Sequence, residues 1–132
     1  MNIGECYSEK IVATDEIIAK IADVSGDVNP IHLDDDYAKQ SVFGKRIAHG
    51  LFCINAISRI IGNYLPGAGA ILIEQKFKYR KPVYINDEIE ITVKVIDKII
   101  EKSLYTLEAI CINQNNDVVL EGISKIKWKE NN

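Results

Sequence analysis

The chain holds two histidines, His32 and His49, and both fall between residues 23 and 50 together with Asp27 and Asn29. Most other ionisable residues sit where a solvent face is expected, so this stretch is where chemistry concentrates. In Asp27-Val28-Asn29-Pro30-Ile31-His32, Pro30 lacks an N–H and disfavours the α region for Asn29, so the segment turns instead of extending a helix. Asp27 and His32 flank that turn and can converge on one point. A carboxylate and an imidazole aimed at one water are a competent acid–base pair near neutral pH. The plainer reading is an Asx-Pro turn in which Asp27 caps backbone N–H groups and His32 is partly buried.

The second group is Ala48-His49-Gly50-Leu51, where an apolar helix begins. The first N–H groups of a helix have no internal partner and carry the positive end of its dipole. Gly50 has no Cβ, so a ligand oxygen can come close to its N–H. Such a place suits a carbonyl oxygen that gains negative charge. Ser58 lies two turns further on, among the polar positions of the same helix.

A calcium loop is the rival reading of this region. Asp23, Ser25, Asp27, Asn29 and Asp34 fall at the ligand positions of such a loop, but Val28 stands where its sharp turn needs Gly, and Asp34 replaces the bidentate Glu. Asp34-Asp35-Asp36 reads as the solvated start of a short helix. Cys6, Cys53 and Cys111 are odd in number and widely spaced, so neither a disulfide framework nor a zinc site is expected.

These residues need elements to hold them. Residues 5–12 read as an opening strand. Thr14 is a helix N-cap, followed by Asp15 and Glu16 in the first turn and by Ile17, Ile18, Ile21 and Val24 at helical spacing, with Ser25-Gly26 as the end. The polar stretch to Gly50 contains one short helix beginning near Asp34. Residues 51–65 form a helix apolar on most sides, with a narrow stripe at Asn55, Ser58 or Arg59, and Asn63; such a helix belongs in the middle of a domain, with the stripe toward whatever is polar there. From Ala70 the period becomes two: Gln75, Phe77 and Tyr79 alternate with charged residues, and Ile89, Ile91, Val93 and Val95 do the same. Residues 103–112 and 117–128 are two more strands, joined at Asn113–Asn116. Clean alternation implies antiparallel strands with one wet face. The whole is α+β, a sheet curled around one apolar helix, and residues 1–132 read as a single domain.

The chain has 132 residues, net charge −3, 47% hydrophobic and 27% charged residues. This is one globular domain able to hold a core without staples. The acidic balance argues against nucleic acid or an anionic membrane as partner. The N-terminal ten residues do not read as a signal peptide, and the longest apolar stretch is too short to span a bilayer. Free thiols fit the cytoplasm.

The chain resembles the MaoC-like, (R)-specific enoyl-CoA hydratase family (hydratase 2) with its hot-dog fold, over about residues 8–128. Three segments carry the resemblance: Ser25-Gly26-Asp27-Val28-Asn29-Pro30-Ile31-His32-Leu33-Asp34, Arg46-Ile47-Ala48-His49-Gly50-Leu51, and Phe77 to Val83 with Asn86-Asp87. The family usually has Gly where Asn86 stands, and Asn tolerates the left-handed region that the bend needs. The resemblance implies reversible hydration of a trans-2-enoyl thioester to an (R)-3-hydroxyacyl thioester. It implies Asp27 and His32 as the catalytic dyad and Gly50 as main-chain oxyanion donor. Around the substrate it implies Ser58 near the dyad and acyl pocket, Asn29 as a positioning residue, and His49, which we read as a structural hydrogen-bonder. No metal or cofactor is expected beyond the coenzyme A of the acyl-CoA substrate. Lys45, Arg46, Lys78, Arg80 and Lys81 are candidates for its phosphates. Exposed sheet edges imply a homodimer. The alternatives are a dehydratase acting on acyl-carrier-protein substrates, a hot-dog thioesterase, and a non-catalytic acyl-thioester-binding module; the presence of both Asp27 and His32 argues against the last two.

Overall fold

A computed structural model describes residues 1–130. Strand β1 (Cys6–Val12) leads into helix α1 (Asp15–Ser25), two short helices α2 (Pro30–Leu33) and α3 (Asp35–Lys39), and then helix α4 (Leu51–Asn63). Strands β2 (Ile71–Tyr79), β3 (Glu88–Ile99), β4 (Leu104–Ile112) and β5 (Val118–Lys127) complete the fold. All strands join one antiparallel sheet in the order β1-β3-β4-β5-β2, so β1 and β2 are its two edges.

The alternation in β3 does what its period requires: Ile89, Ile91, Val93 and Val95 are fully buried while Glu88, Glu90 and Lys94 stay in water. Facing them are Phe52, Cys53, Ala56, Ile57, Ile60 and Ile61 of α4, which with Leu107, Ala109, Cys111, Leu120 and Ile126 form one core. Each large apolar side chain so buried contributes about 1.5–3 kcal/mol, which is why α4 is held against the sheet.

Local signals act where the sequence places them. The Thr14 hydroxyl accepts the Ile17 N–H at 3.2 Å, and Gly26 closes α1 in the left-handed region at φ 75°. Asn86 takes φ 73° at the bend before β3, as its tolerance for that region allows. Its N–H donates to Ala13 O at 2.8 Å, and Asp87 accepts the Tyr84 N–H at 2.9 Å. The same bend carries Tyr84 beside Ile47, and Ala48 donates to Val83 O at 2.7 Å, which anchors the chain just before α4.

Three expectations need correction. The polar stretch before Gly50 holds two short helices rather than one: besides α3, Pro30 begins a helical turn, α2, because a missing N–H costs nothing at the first helical position. The polar stripe of α4 does not face a polar interior: Asn55, Ser58, Arg59 and Asn63 are exposed, and only the opposite side of the helix is buried. Val24 of α1 is exposed rather than part of its buried face, which consists of Ile18, Ile21 and Ala22.

Candidate active site

The turn between α1 and α2 is built by a run of short side chains bonding to backbone two residues on. Ser25 Oγ accepts the Asp27 N–H at 3.0 Å, Asp27 Oδ1 accepts the Asn29 N–H at 3.1 Å, and Asn29 Oδ1 accepts the Ile31 N–H at 3.2 Å. These Asx- and Ser-type turns use one Asp27 oxygen for shape and leave Oδ2 free. That oxygen lies 3.9 Å from His32 Nε2. The other nitrogen, His32 Nδ1, is 2.7 Å from Ile47 O. A carbonyl can only accept, so Nδ1 carries a proton, and the neutral tautomer this selects presents an open lone pair at Nε2 toward Asp27. His32 is buried, whereas the Asp27 side chain is about half exposed, at 49%.

His49 buttresses this pair. Its Nε2 is 3.0 Å from the main-chain oxygen of Asp27, so Nε2–H donates there. Its ring stacks on that of His32 with centroids 4.0 Å apart and planes 27° from parallel. Its Nδ1 is buried without a partner among the described residues.

Arg46 holds the same region from below. Only 14% of its side chain is exposed. Its Nε donates to Asp35 at 2.7 Å, its Nη1 to the His32 main-chain oxygen at 3.3 Å, and its Nη2 to Asp15. Burial works against the charge, but the hydrogen bonds to the two carboxylates outweigh it and hold the guanidinium above its usual range. Arg46 is therefore committed to α1, α2 and α3 and is corrected as a phosphate-binding candidate. Of the others, Arg80 pairs with Glu121 at 2.7 Å and Lys81 with Asp117 at 3.2 Å. Lys45 lies 4.5 Å above the Tyr84 ring, and neither it nor Lys78 has a carboxylate partner among the described residues.

A cavity of about 330 Å³ opens beside the two histidines, with His32, His49, Gly50, Cys53, Tyr79 and Val83 among its walls. Its far wall is apolar, from Phe43, Val119 and Leu120, and Arg80 and Lys81 also line it. Gly50 starts α4 in αR geometry with no side-chain cap, and its N–H has no acceptor among the described residues. Its lack of a Cβ matters: an added one would meet the Tyr79 hydroxyl at 2.8 Å and its ring at 3.1 Å. The neighbouring Cys53 thiol, then burial, pushes the Cys111 thiol far above its usual range; all three cysteines are free.

The structure thus brings together Asp27, His32 and His49, with Gly50 beside His49 in the same cavity wall. Asn29 serves the turn. Ser58 is exposed on α4, takes no part in the cavity wall, and makes no hydrogen bond to Asp27 or His32. Sequence reasoning missed Tyr79 as a wall residue, although its place after Gln75 and Phe77 on the inward side of β2 was the available signal. The role of Arg46 had no local signal, because its carboxylate partners lie 31 and 11 residues away.

The fold and this arrangement define a hot-dog protein with a carboxylate–imidazole pair beside a largely apolar cavity, next to an uncapped helix N-terminus. The MaoC like domain family matches residues 4–113, and the chain belongs to that family. It is 38% identical over 127 residues to a 3-hydroxybutyryl-CoA dehydratase of Methylorubrum extorquens, covering 96% of this chain and 79% of that one. It is 38% identical over 119 residues to an (R)-specific enoyl-CoA hydratase of Rhodospirillum rubrum, covering 90% of this chain and 82% of the relative. Among solved structures, the (R)-hydratase from A. caviae involved in PHA biosynthesis superposes with a TM-score of 0.94 at 27% identity, covering 98% of both chains.

Proposed function

We propose that this protein is an enzyme that adds water across the double bond of trans-2-enoyl-CoA to give (R)-3-hydroxyacyl-CoA, and catalyses the reverse dehydration. One observation carries the reading: Asp27 Oδ2 and His32 Nε2 stand 3.9 Å apart, too far to bond directly. A water at ordinary hydrogen-bond distance, about 2.8 Å from each, subtends an angle of about 90° between them. Two acceptors at that angle suit the two O–H bonds of one water and leave an oxygen lone pair free for attack.

The step then balances as follows. The water oxygen bonds to C3 while the dyad takes one proton. The C2=C3 electron pair moves into the thioester and places negative charge on its carbonyl oxygen. The dyad returns the proton to C2 on the same side. The uncapped Gly50 N–H at the positive end of α4 is the donor we assign to that oxygen, and a fixed dipole needs no reorganisation as the charge develops. Asn29 and His49 act on Asp27 through its side chain and its main-chain oxygen. Ser58 has no contact that assigns it a step.

This chemistry calls for no metal or redox cofactor. Asp27, His32 and His49 offer ligand atoms within 4.8 Å of one another, but metal ligands point in the ring plane, and two rings stacked at 4.0 Å do not aim their lone pairs at one ion. The chain is also assigned to a homodimer, since edge strand β2 leaves Ile71, Leu72 and Ile73 exposed and its outer backbone groups unpaired. No described helix is long and apolar enough to cross a membrane. We infer a cytoplasmic location from the three free thiols, which a reducing compartment preserves.

The test is loss of the enoyl-thioester absorbance with crotonyl-CoA, followed by chiral analysis of the product. Formation of (R)-3-hydroxybutyryl-CoA supports the reading; an (S) product or no turnover overturns it. Faster turnover of the same acyl group on acyl carrier protein would assign the carrier instead of coenzyme A.

A further inference from the structure

The position of Tyr79 has a consequence for catalysis. It is the last residue of β2, on the edge of the sheet, and 61% of the residue is exposed. Its tip nevertheless turns inward. The hydroxyl lies 2.8 Å from where a Gly50 β-carbon would sit, and the adjoining ring carbons lie 3.1 Å from it. The hydroxyl makes no hydrogen bond to any other described residue, although it stands in the wall of the same cavity as His32, His49 and Gly50. A hydroxyl that stands beside the helix start in a cavity wall, without an acceptor among the described residues, can rotate its O–H toward a ligand oxygen.

We propose that the Tyr79 hydroxyl is a second donor to the thioester carbonyl oxygen, acting beside the Gly50 N–H. The inference rests on the hydratase reading above and deepens it. A carbonyl oxygen has two lone pairs, and the oxygen of an enolate takes two donors better than one. Gly50 supplies one from the helix start. Tyr79 supplies the other from the sheet edge, so the forming charge is clamped between α4 and β2. The hydroxyl remains protonated through this step and only donates. Partial burial, then the neighbouring Cys53, raise its pKa above the usual tyrosine value, which keeps it a donor at neutral pH. On this view the absence of a Cβ at Gly50 serves two purposes: the substrate oxygen can approach the N–H, and the tyrosine tip can stand next to it.

The experiment is Tyr79→Phe in the full chain, which keeps the ring and removes only the hydroxyl. With crotonyl-CoA, kcat is expected to fall about 10- to 100-fold, less than the loss of a sole oxyanion donor, while KM changes by less than about threefold. The second readout is the carbonyl stretch of bound butyryl-CoA, which is saturated and cannot be hydrated. Its shift to lower frequency in the wild-type protein is expected to be smaller in Tyr79→Phe. An unchanged kcat, an unchanged carbonyl frequency, or a lower KM at constant kcat (the tyrosine then merely obstructing the cavity) each overturns the proposal. The two readings fail separately: a wild-type protein that does not hydrate crotonyl-CoA removes both, whereas an active wild type with an inactive Asp27→Asn and an unimpaired Tyr79→Phe removes this one alone.

Discussion

Replacing Asp27 by Asn alters one atom in size and almost nothing in packing, so it isolates the chemistry of the dyad. The amide oxygen can still accept the Asn29 N–H that Oδ1 accepts at 3.1 Å, and the turn is retained. The side chain is 49% exposed, so no buried charge is left unpaired. A substitution of this kind changes stability by no more than about 0.5 kcal/mol. At Oδ2, however, an acceptor becomes a donor. The new N–H₂ faces the His32 Nε2 lone pair from 3.9 Å and competes for the water that the carboxylate would orient. Loss of a positioned acid or base costs about 10²- to 10⁴-fold, which is about 2.7–5.4 kcal/mol of barrier at 1.36 kcal/mol per tenfold. Initial rates with saturating crotonyl-CoA, measured beside a thermal melt, separate the two effects: kcat is expected to drop at least about 100-fold while Tm stays within a degree or two. His32→Gln is expected to behave alike, and the double variant little worse than either, because the pair acts as a unit. A folded Asp27→Asn protein with near-normal turnover would refute the dyad.

Gly50→Val puts branched carbon where the Tyr79 hydroxyl already lies 2.8 Å from a Cβ; because Tyr79 can swing outward, the protein is expected to fold and kcat to fall by about 10²-fold, read in the same assay. His49→Asn loses the imidazole that stacks on His32 and holds Asp27 O, so it is expected to keep measurable turnover with a lowered Tm; the opposite outcome for these two variants would move the chemistry to His49. Arg46→Met removes a nearly buried cation that joins three helices, while its partners Asp15 and Asp35 are exposed enough to rehydrate; a loss of about 2–3 kcal/mol in urea unfolding is expected. Light scattering is expected to show a dimer for the parent and monomers for Ile71→Lys with Ile73→Lys on the exposed β2 edge, and dialysis against a chelator is expected to leave the parent's activity intact.

Strand and helix identities were readable because they depend on periods within one segment. The two-residue alternation of Ile89 to Val95 and the cap signals at Thr14 and Gly26 act over a few residues, and the structure follows them. So was the approach of Asp27 and His32, 3.9 Å apart, since they lie five positions apart around one proline turn whose bonds run from residue 25 to residue 31. What the sequence did not reveal depends on long-range approach. Whether the stripe of Asn55, Ser58 and Arg59 faced inside or out was decided by which side of α4 the sheet covers, because one helical pattern is compatible with either outcome. Arg46 reads locally as one more surface cation and becomes a clasp only when Asp15 and Asp35 meet it from elsewhere in the chain. Tyr79 reads as one step of an alternating strand; only the packing of the β2 end across the start of α4 sets its hydroxyl over Gly50. Short-range backbone preferences are written residue by residue, whereas the partners of a side chain are chosen by the fold that brings distant segments together.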